Sequence, residues 1–236
     1  MFKIETHLHT ASVSRCGKMS AEQIVDLYVN NGYYGVIVTD HFFHGNCRIN
    51  DEMPDAPFAD RVHAFARGYR EVKEAAGDRL KVFFGFEQGF PGTHILVYGW
   101  DEDKLAALPE IMDLSARQFL QFAKENGALA VHAHPYRESP DLDHFNLYPE
   151  AEAVEIINAS RGNRENALAN SYVGAFGMIP TAGSDMHRRS QAIIGGLSFE
   201  HPIDSMEEFI DAVRKREGTP FSQPNVVSVR ENFYLD

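Results

Sequence analysis

The sequence predicts an α/β fold built on a parallel sheet, open or closed into a barrel, with its site at the carboxyl ends of the strands. Three observations predict it. About seven short β-branched or apolar runs alternate with stretches of helical periodicity. Several of these runs are continuously apolar, as expected of strands buried on both faces of a parallel sheet. Imidazoles and carboxylates follow directly on the runs, and that edge is where parallel α/β architectures build their sites. A chain of 236 residues can bury one full core. A single domain over 1–236 is therefore expected, with its core at about 3–218 and residues 219–236 as a tail or edge strand.

In order, Phe2-Lys3-Ile4-Glu5-Thr6-His7-Leu8-His9-Thr10 reads as a first strand carrying two histidines at i and i+2. Ser20 with Gln23 forms a capping box, after which Ile24, Leu27 and Tyr28 keep helical spacing up to Gly32. Gly35-Val36-Ile37-Val38 is a buried strand ending in Thr39-Asp40-His41. Phe58, Val62, Phe65, Tyr69, Val72 and Ala76 predict one helix up to Gly77. Lys81 to Phe86 is a strand ending in Glu87, and His94 to Tyr98 is another. A helix with Leu114, Phe119, Leu120, Phe122 and Ala123 on its apolar face stops at Gly127. Leu129-Ala130-Val131 leads into His132-Ala133-His134-Pro135, and Ala153 to Ile157 leads into Asn158-Ala159-Ser160-Arg161. Asn163 would cap a helix running to about Gly177, and Ile179 to Ala182 opens onto Gly183-Ser184-Asp185-Met186-His187. A last helix begins at Ser205, with Glu208 completing a second box.

A net charge of -12, without a basic stripe, would repel a phosphate backbone, so no long nucleic acid is expected as partner. A small anionic substrate stays compatible, because bound divalent cations would dominate the local field. No run approaches the roughly 18 apolar residues of a membrane span, and the start lacks a basic-then-apolar leader. Only two cysteines, Cys16 and Cys47, occur, which favours a reducing compartment, and a cytoplasmic location is the expectation. Oligomeric state leaves no signature in the sequence.

The strand ends supply His7 and His9, Asp40 and His41, Glu87, His132 and His134, then Asp185 and His187. Imidazoles and carboxylates are the ligand chemistry of a multinuclear zinc, manganese or iron site. Arg137, three residues after His134, and Arg161 are candidates for clamping a phosphate through bidentate hydrogen bonds. Asp40, next to His41 but facing the other way on an extended strand, is a candidate catalytic group or a residue orienting an imidazole.

Together, Thr6-His7-Leu8-His9-Thr10, Thr39-Asp40-His41, Gly85-Phe86-Glu87, His134-Pro135 and Gly183-Ser184-Asp185-Met186-His187 resemble the PHP family, the polymerase and histidinol phosphatase domain, from about Lys3 to Arg189. The resemblance implies a distorted TIM-like (β/α)7 barrel with two or three divalent metal ions (manganese, zinc or iron) at the carboxyl ends of the strands. It also implies hydrolysis of phosphate esters. Carried over position by position, it assigns His7, His9, Glu87 and Asp185 to a first metal. Glu87 would bridge to a second, held by His134 and His94, with His132 as competitor for the place of His94 or as a residue behind the ligands. His41 and His187 resemble ligands of a third metal, or acid-base groups. Where many relatives supply an acid or histidine to that third metal, this chain reads Ser12-Val13-Ser14-Arg15-Cys16-Gly17, and Cys16 is a candidate thiolate ligand.

The reaction expected is attack of a metal-bridging hydroxide on a small phosphate ester such as histidinol phosphate, a sugar phosphate or a nucleotide. Two other functions compete. An amidohydrolase-like C-N hydrolase also opens with two histidines at i and i+2, but usually places a bridging lysine on a middle strand. A non-catalytic, metal-stabilised scaffold would show lost ligands, and only the third-site acid is missing here. Specificity would come from the loops 42–60 and 139–150.

Overall fold

A computed structural model describes residues 1–138 and 144–228 of the chain. Part of the predicted 139–150 specificity loop and the last eight residues of the predicted tail lie outside this range. The elements run β1 (Phe2–Leu8), α1 (Ala21–Asn30), β2 (Gly35–Val38), α2 (Ile49–Glu52), α3 (Phe58–Phe65), α4 (Arg67–Ala76), β3 (Lys81–Phe90), β4 (Thr93–Tyr98), α5 (Glu102–Ala106), α6 (Ala116–Glu125), β5 (Leu129–Ala133), β6 (Ala153–Asn158), α7 (Asn163–Phe176), β7 (Ile179–Gly183), β8 (Ile193–Phe199), α8 (Met206–Arg214) and β9 (Thr219–Pro224).

Strands β1 to β7 are neighbours in sequence order. The sheet curls until the residues after β7 meet β1: Leu8 bridges Met186, whose N–H donates to the His7 carbonyl at 3.1 Å and whose carbonyl accepts from His9 N–H at 3.0 Å. The result is a nearly closed barrel of mixed α/β architecture. Strand β8 pairs antiparallel with the start of β1, and β9 with β8. Among the described residues no helix is long and apolar enough to cross a membrane.

Four features depart from the sequence reading. Strand β4 runs antiparallel to both β3 and β5 rather than parallel to them. The cause is local: Pro91 and Gly92 make a two-residue hairpin turn, with Gly92 at φ 72°, the left-handed value that a proline-glycine turn requires at its second centre. The predicted helix 58–76 is two, α3 and α4, meeting at Ala66, where ψ opens to -3°. Strand β8 was not foreseen, because Gly195 and Gly196 interrupt its apolar pattern and glycine weakens a strand signal. The start of α7 also shifts by one: Gly162 is the cap, its N–H donating to the Glu165 carboxylate at 2.8 Å.

Apolar packing holds the seam. Leu8, Ile24, Leu27, Tyr28, Val36 and Val72 form one buried cluster where α1 and α4 cover β1 and β2, each such side chain contributing about 1.5–3 kcal/mol of burial. Beneath it, the wholly buried Glu5 accepts from the N–H groups of Thr6 (3.0 Å), His7 (2.9 Å) and Ser184 (2.8 Å), from the Tyr28 hydroxyl (2.8 Å) and from the Ser184 hydroxyl. This ties β1 to the segment following β7. Burial pushes the Glu5 carboxyl up to about 7 against the pull of these donors. Glu5→Gln would put an amide N–H₂ into a site made only of donors. The expected cost is about 2 kcal/mol, or about 4–8 °C in Tm. An unchanged melting curve would mean that these five bonds contribute no net stability.

Candidate metal centre

The ligand-type side chains meet at one edge because β1 to β5 and β7 deliver them there. His7 is the penultimate residue of β1 and His9 lies one residue beyond its end, pinned by its bond to Met186. His41 follows β2, and its neighbour β3 continues past that level, so Glu87 stands beside His41, with Phe42 N–H donating to the Glu87 carbonyl at 2.8 Å. The reversal of β4 puts its first residues, not its last, at the same edge, and this brings in His94. His134 and Asp185 follow β5 and β7 with φ of 28° and 50°, left-handed values costing about 1–3 kcal/mol each and typical of functional sites.

Glu87, 1% exposed, is the centre of the set. Its Oε1 lies 2.7 Å from His94 Nδ1, 3.3 Å from His134 Nε2 and 3.4 Å from His7 Nε2. Its Oε2 lies 2.6 Å from His41 Nδ1 and 3.6 Å from His9 Nε2. Asp185 Oδ1 stands 3.3 Å from His9 Nε2 and 3.6 Å from His7 Nε2. Four overlapping groups each bring three ligand atoms within 4.8 Å of one another: His7, His9 and Glu87; His7, His134 and Asp185; His41, Glu87 and His94; and His9, His41 and His187. His7 Nε2 and His9 Nε2 are buried without a hydrogen-bond partner. Buried nitrogens left unpartnered would be costly, and cations held between them and the facing carboxylates fit them. The residues present therefore fit a divalent-metal centre.

The electrostatics of the metal-free protein agree. Burial opposes charge on His7, yet Glu155, Asp185 and Glu87 around it raise it well above its ordinary value. Burial likewise opposes charge on His41, but Glu87 and the Cys16 thiol carry it up to about 10. His9, buried beside His41 and His187, is held well below its ordinary value. Asp185 and Glu87 stay well below the usual carboxylate range because the facing imidazoles outweigh burial. Protons thus stand where cations would bind, and loading would release them.

Residues behind the ligands fix their orientation. Glu155, 1% exposed, takes His7 Nδ1 at 3.0 Å, His134 N–H at 3.0 Å and the Asn158 amide at 2.8 Å. Ser160 donates to Asp185 Oδ2 at 3.0 Å. The sequence reading missed Glu155, although a carboxylate inside an apolar strand that must be buried is itself a signal of a partner. Glu155→Ala should weaken metal binding about 10–100-fold, read by chelator competition. Unaltered affinity would show that the contact does not orient His7.

Asp40 is placed behind the site rather than in it. Its carboxylate takes Thr10 N–H and Thr10 Oγ1, both at 2.7 Å, and Ser14 Oγ at 2.6 Å, and Ser14 in turn lies 3.4 Å from His9 Nδ1. Its oxygens are thus taken up by Thr10 and Ser14, and it reaches His9 only through Ser14. His132 is not brought into the cluster either. Its Nε2 pairs with Thr93 Oγ1 at 2.8 Å, its ring packs on Tyr148, and burial holds it neutral, down to about 3. The i,i+2 rule fails there because β5 ends at Ala133 and His134 turns out of the strand.

A cavity of about 300 Å³ opens over the cluster, lined by His41, Glu87, His94, His134, Asp185 and His187 and also by Cys16, Asn46, Arg137 and Arg161. Arg161 NH2 lies 3.3 Å from Asp185 Oδ2. Cys16 is partly buried; burial raises its thiol, but His187 and His41 draw it down to about 6.

No family model matches the chain, and no curated protein does. Among solved structures, PsfC from Pseudomonas syringae PB-5123 has a TM-score of 0.62 at 15% identity, over 99% of this chain and 97% of its own. A candidate metal-dependent phosphoesterase from Bifidobacterium adolescentis has a TM-score of 0.54 at 13% identity, over 78% of this chain and 87% of its own. An amidohydrolase from Chromobacterium violaceum reaches only 0.48 at 14% identity, too low to carry weight. At these identities the likeness shows the fold, a barrel shared with a candidate metal-dependent hydrolase.

Proposed function

We propose that the chain is a metal-dependent phosphoesterase of the PHP type, acting on a small phosphorylated substrate. One observation carries this reading: the cavity that exposes the Glu87-centred cluster is also lined by two arginines, Arg137 and Arg161. Carboxylates and imidazoles in its lining suit divalent cations, and the guanidinium groups beside them suit the equatorial oxygens of a phosphoryl group. Divalent ions, when bound, would supply charge neutralisation at phosphorus and a water of pKa near about 7 as nucleophile.

His7, His9, Glu87 and Asp185 would hold one ion, and Glu87, His94 and His134 a second. Arg137 and Arg161 orient the phosphoryl group, and the Asp185 contact keeps Arg161 turned toward the cluster. Glu155 holds His7 with Nε2 toward the ions. The leaving oxygen is assigned to the side lined by Cys16, His41 and His187. A C-N hydrolase of the competing type would use a bridging lysine, whereas the bridging position here is Glu87 and no lysine lines the cavity among the described residues.

Phosphate release from a panel of phosphomonoesters and short phosphodiesters tests this, using chelated protein reloaded separately with manganese, zinc or iron. Release should return with metal and with one substrate group. Silence across the panel with metal content verified would sink the phosphoesterase reading and leave the metal centre standing.

A further inference from the structure

We propose that Asn158 is a positioning residue of the metal centre: its amide aims His7 through Glu155 and, through the turn it anchors, holds Asp185 to ligation by a single oxygen. The inference rests on the metal-centre reading but not on the identity of the substrate.

Asn158 closes β6 and is wholly buried. It lies three residues after Glu155, and side chains three apart on a regular strand face opposite ways. Here they share a side. Glu155 stands opposite Thr181, Ile157 opposite Ala182 and Asn158 opposite Gly183, so Ile156 is an extra residue, a bulge that turns Asn158 back to the side of Glu155. The amide then has one orientation that satisfies its neighbours. Its Nδ2 donates to Glu155 Oε2 at 2.8 Å and to Asp185 Oδ2 at 3.4 Å, while its Oδ1 accepts from Ser160 N–H at 3.0 Å. Flipping it would set an oxygen against two carboxylates and an N–H₂ against a backbone N–H. The main chain is clasped as well: Asn166 on α7 accepts from Asn158 N–H through Oδ1 and donates to the Asn158 carbonyl through Nδ2, both at 3.1 Å.

The hold on Asp185 comes from the turn that Asn158 roots. Ser160 N–H donates to Asn158 Oδ1 and Arg161 N–H to the Asn158 carbonyl, both at 3.0 Å, which folds 158–161 back on itself. The turn brings Ser160 Oγ to 3.0 Å and Arg161 NH2 to 3.3 Å from Asp185 Oδ2, beside the Asn158 amide. Three donors from one turn thus occupy Oδ2. Oδ1 is left for the cluster, 3.3 Å from His9 Nε2 and 3.6 Å from His7 Nε2. On its other side the same amide holds Glu155 Oε2, and Glu155 Oε1 takes His7 Nδ1 at 3.0 Å, which keeps Nε2 of that ring toward the cluster. One buried amide therefore sets two ligands, His7 and Asp185, of the same ion.

The experiment is a cobalt titration of the chelated full chain, read by metal content, by chelator competition and by d–d absorption, whose intensity falls as the coordination number rises. Asn158→Ala should bind the ion held by His7, His9, Glu87 and Asp185 about 10–100-fold more weakly. Its d–d absorption should also weaken, because Asp185, released from the turn, closes on the ion with both oxygens. Ser160 is exposed, so its replacement spares the fold. Ser160→Ala should weaken the absorption in the same direction, and Ser160→Thr, which keeps the hydroxyl, should restore the wild-type spectrum. Wild-type affinity and spectrum in Asn158→Ala, whatever its melting temperature, would make the amide a structural group only and overturn the proposal while sparing the metal centre. If Asn158→Ala does not fold, the serine pair decides: identical spectra in Ser160→Ala and Ser160→Thr overturn the proposal. No cobalt bound by wild type overturns both.

Discussion

Glu87→Gln should lower phosphoesterase turnover by at least about 10³-fold, the equivalent of about 4 kcal/mol of lost transition-state stabilisation. The size of the effect follows from its place. Five histidines, His7, His9, His41, His94 and His134, lie within 3.6 Å of its two oxygens. No other carboxylate is shared between the two proposed ions. The amide keeps the shape and much of the packing of a side chain that is 1% exposed. It removes the negative charge, however, and turns one oxygen into an N–H₂ facing imidazole nitrogens, where it neither ligates nor bridges. Metal content should fall by at least one equivalent, while circular dichroism stays that of wild type. A variant holding its full metal content and more than a tenth of the activity would remove Glu87 from the bridging role.

The sequence made the α/β sheet legible because β-branched runs and capping boxes are local features, while its closure into a barrel was implied only by the family resemblance. Ser20 with Gln23 does cap α1, and Leu129, Ala153 and Ile179 do open ring strands. Much of the cluster was legible for the same reason, since His7 and His9 lie two apart at the end of a strand. The rest depends on relations that spacing does not encode. His94, which only the family resemblance had assigned, reaches the cluster because β4 runs backwards, so its first residues rather than its last share the edge with Glu87. The Pro91-Gly92 turn was the visible sign of that reversal. His132 and His134 have the same spacing as His7 and His9, yet the left-handed turn at His134 sends the pair to different places. Glu155 was hidden in a strand that reads as plain core, and only its contact with His7 gives it a role.

Removing the metal should lower Tm by about 15 °C or more at neutral pH, with the loss growing as pH rises above about 6.5. Ligation at about a thousand times Kd contributes about 4 kcal/mol per ion, and a chain of this size shifts by about 2–4 °C per kcal/mol. The pH dependence follows from the protons that take the place of the cations. In the metal-free protein His7 sits well above its ordinary value of 6.5. A group raised in the folded state contributes stability below its unfolded pKa and loses it as pH climbs toward the folded value. His41, raised to about 10, acts in the same sense, but Cys16, lowered to about 6, acts in the opposite one, and the two nearly cancel up to the unfolded cysteine value of 9. His187, raised too, adds to His7. The folded metal-free chain therefore holds at least one proton more than the unfolded chain above pH 6.5. Its stability should fall by roughly 1 kcal/mol per pH unit for each such proton. With metal bound those protons are already gone and the slope should flatten, so the gap between loaded and chelated melting curves widens from pH 6.5 to 8.5. A gap that stays constant over that range would mean that the cations do not displace the His7 proton. Coincident curves at every pH would mean that these buried histidines and carboxylates hold no metal at all.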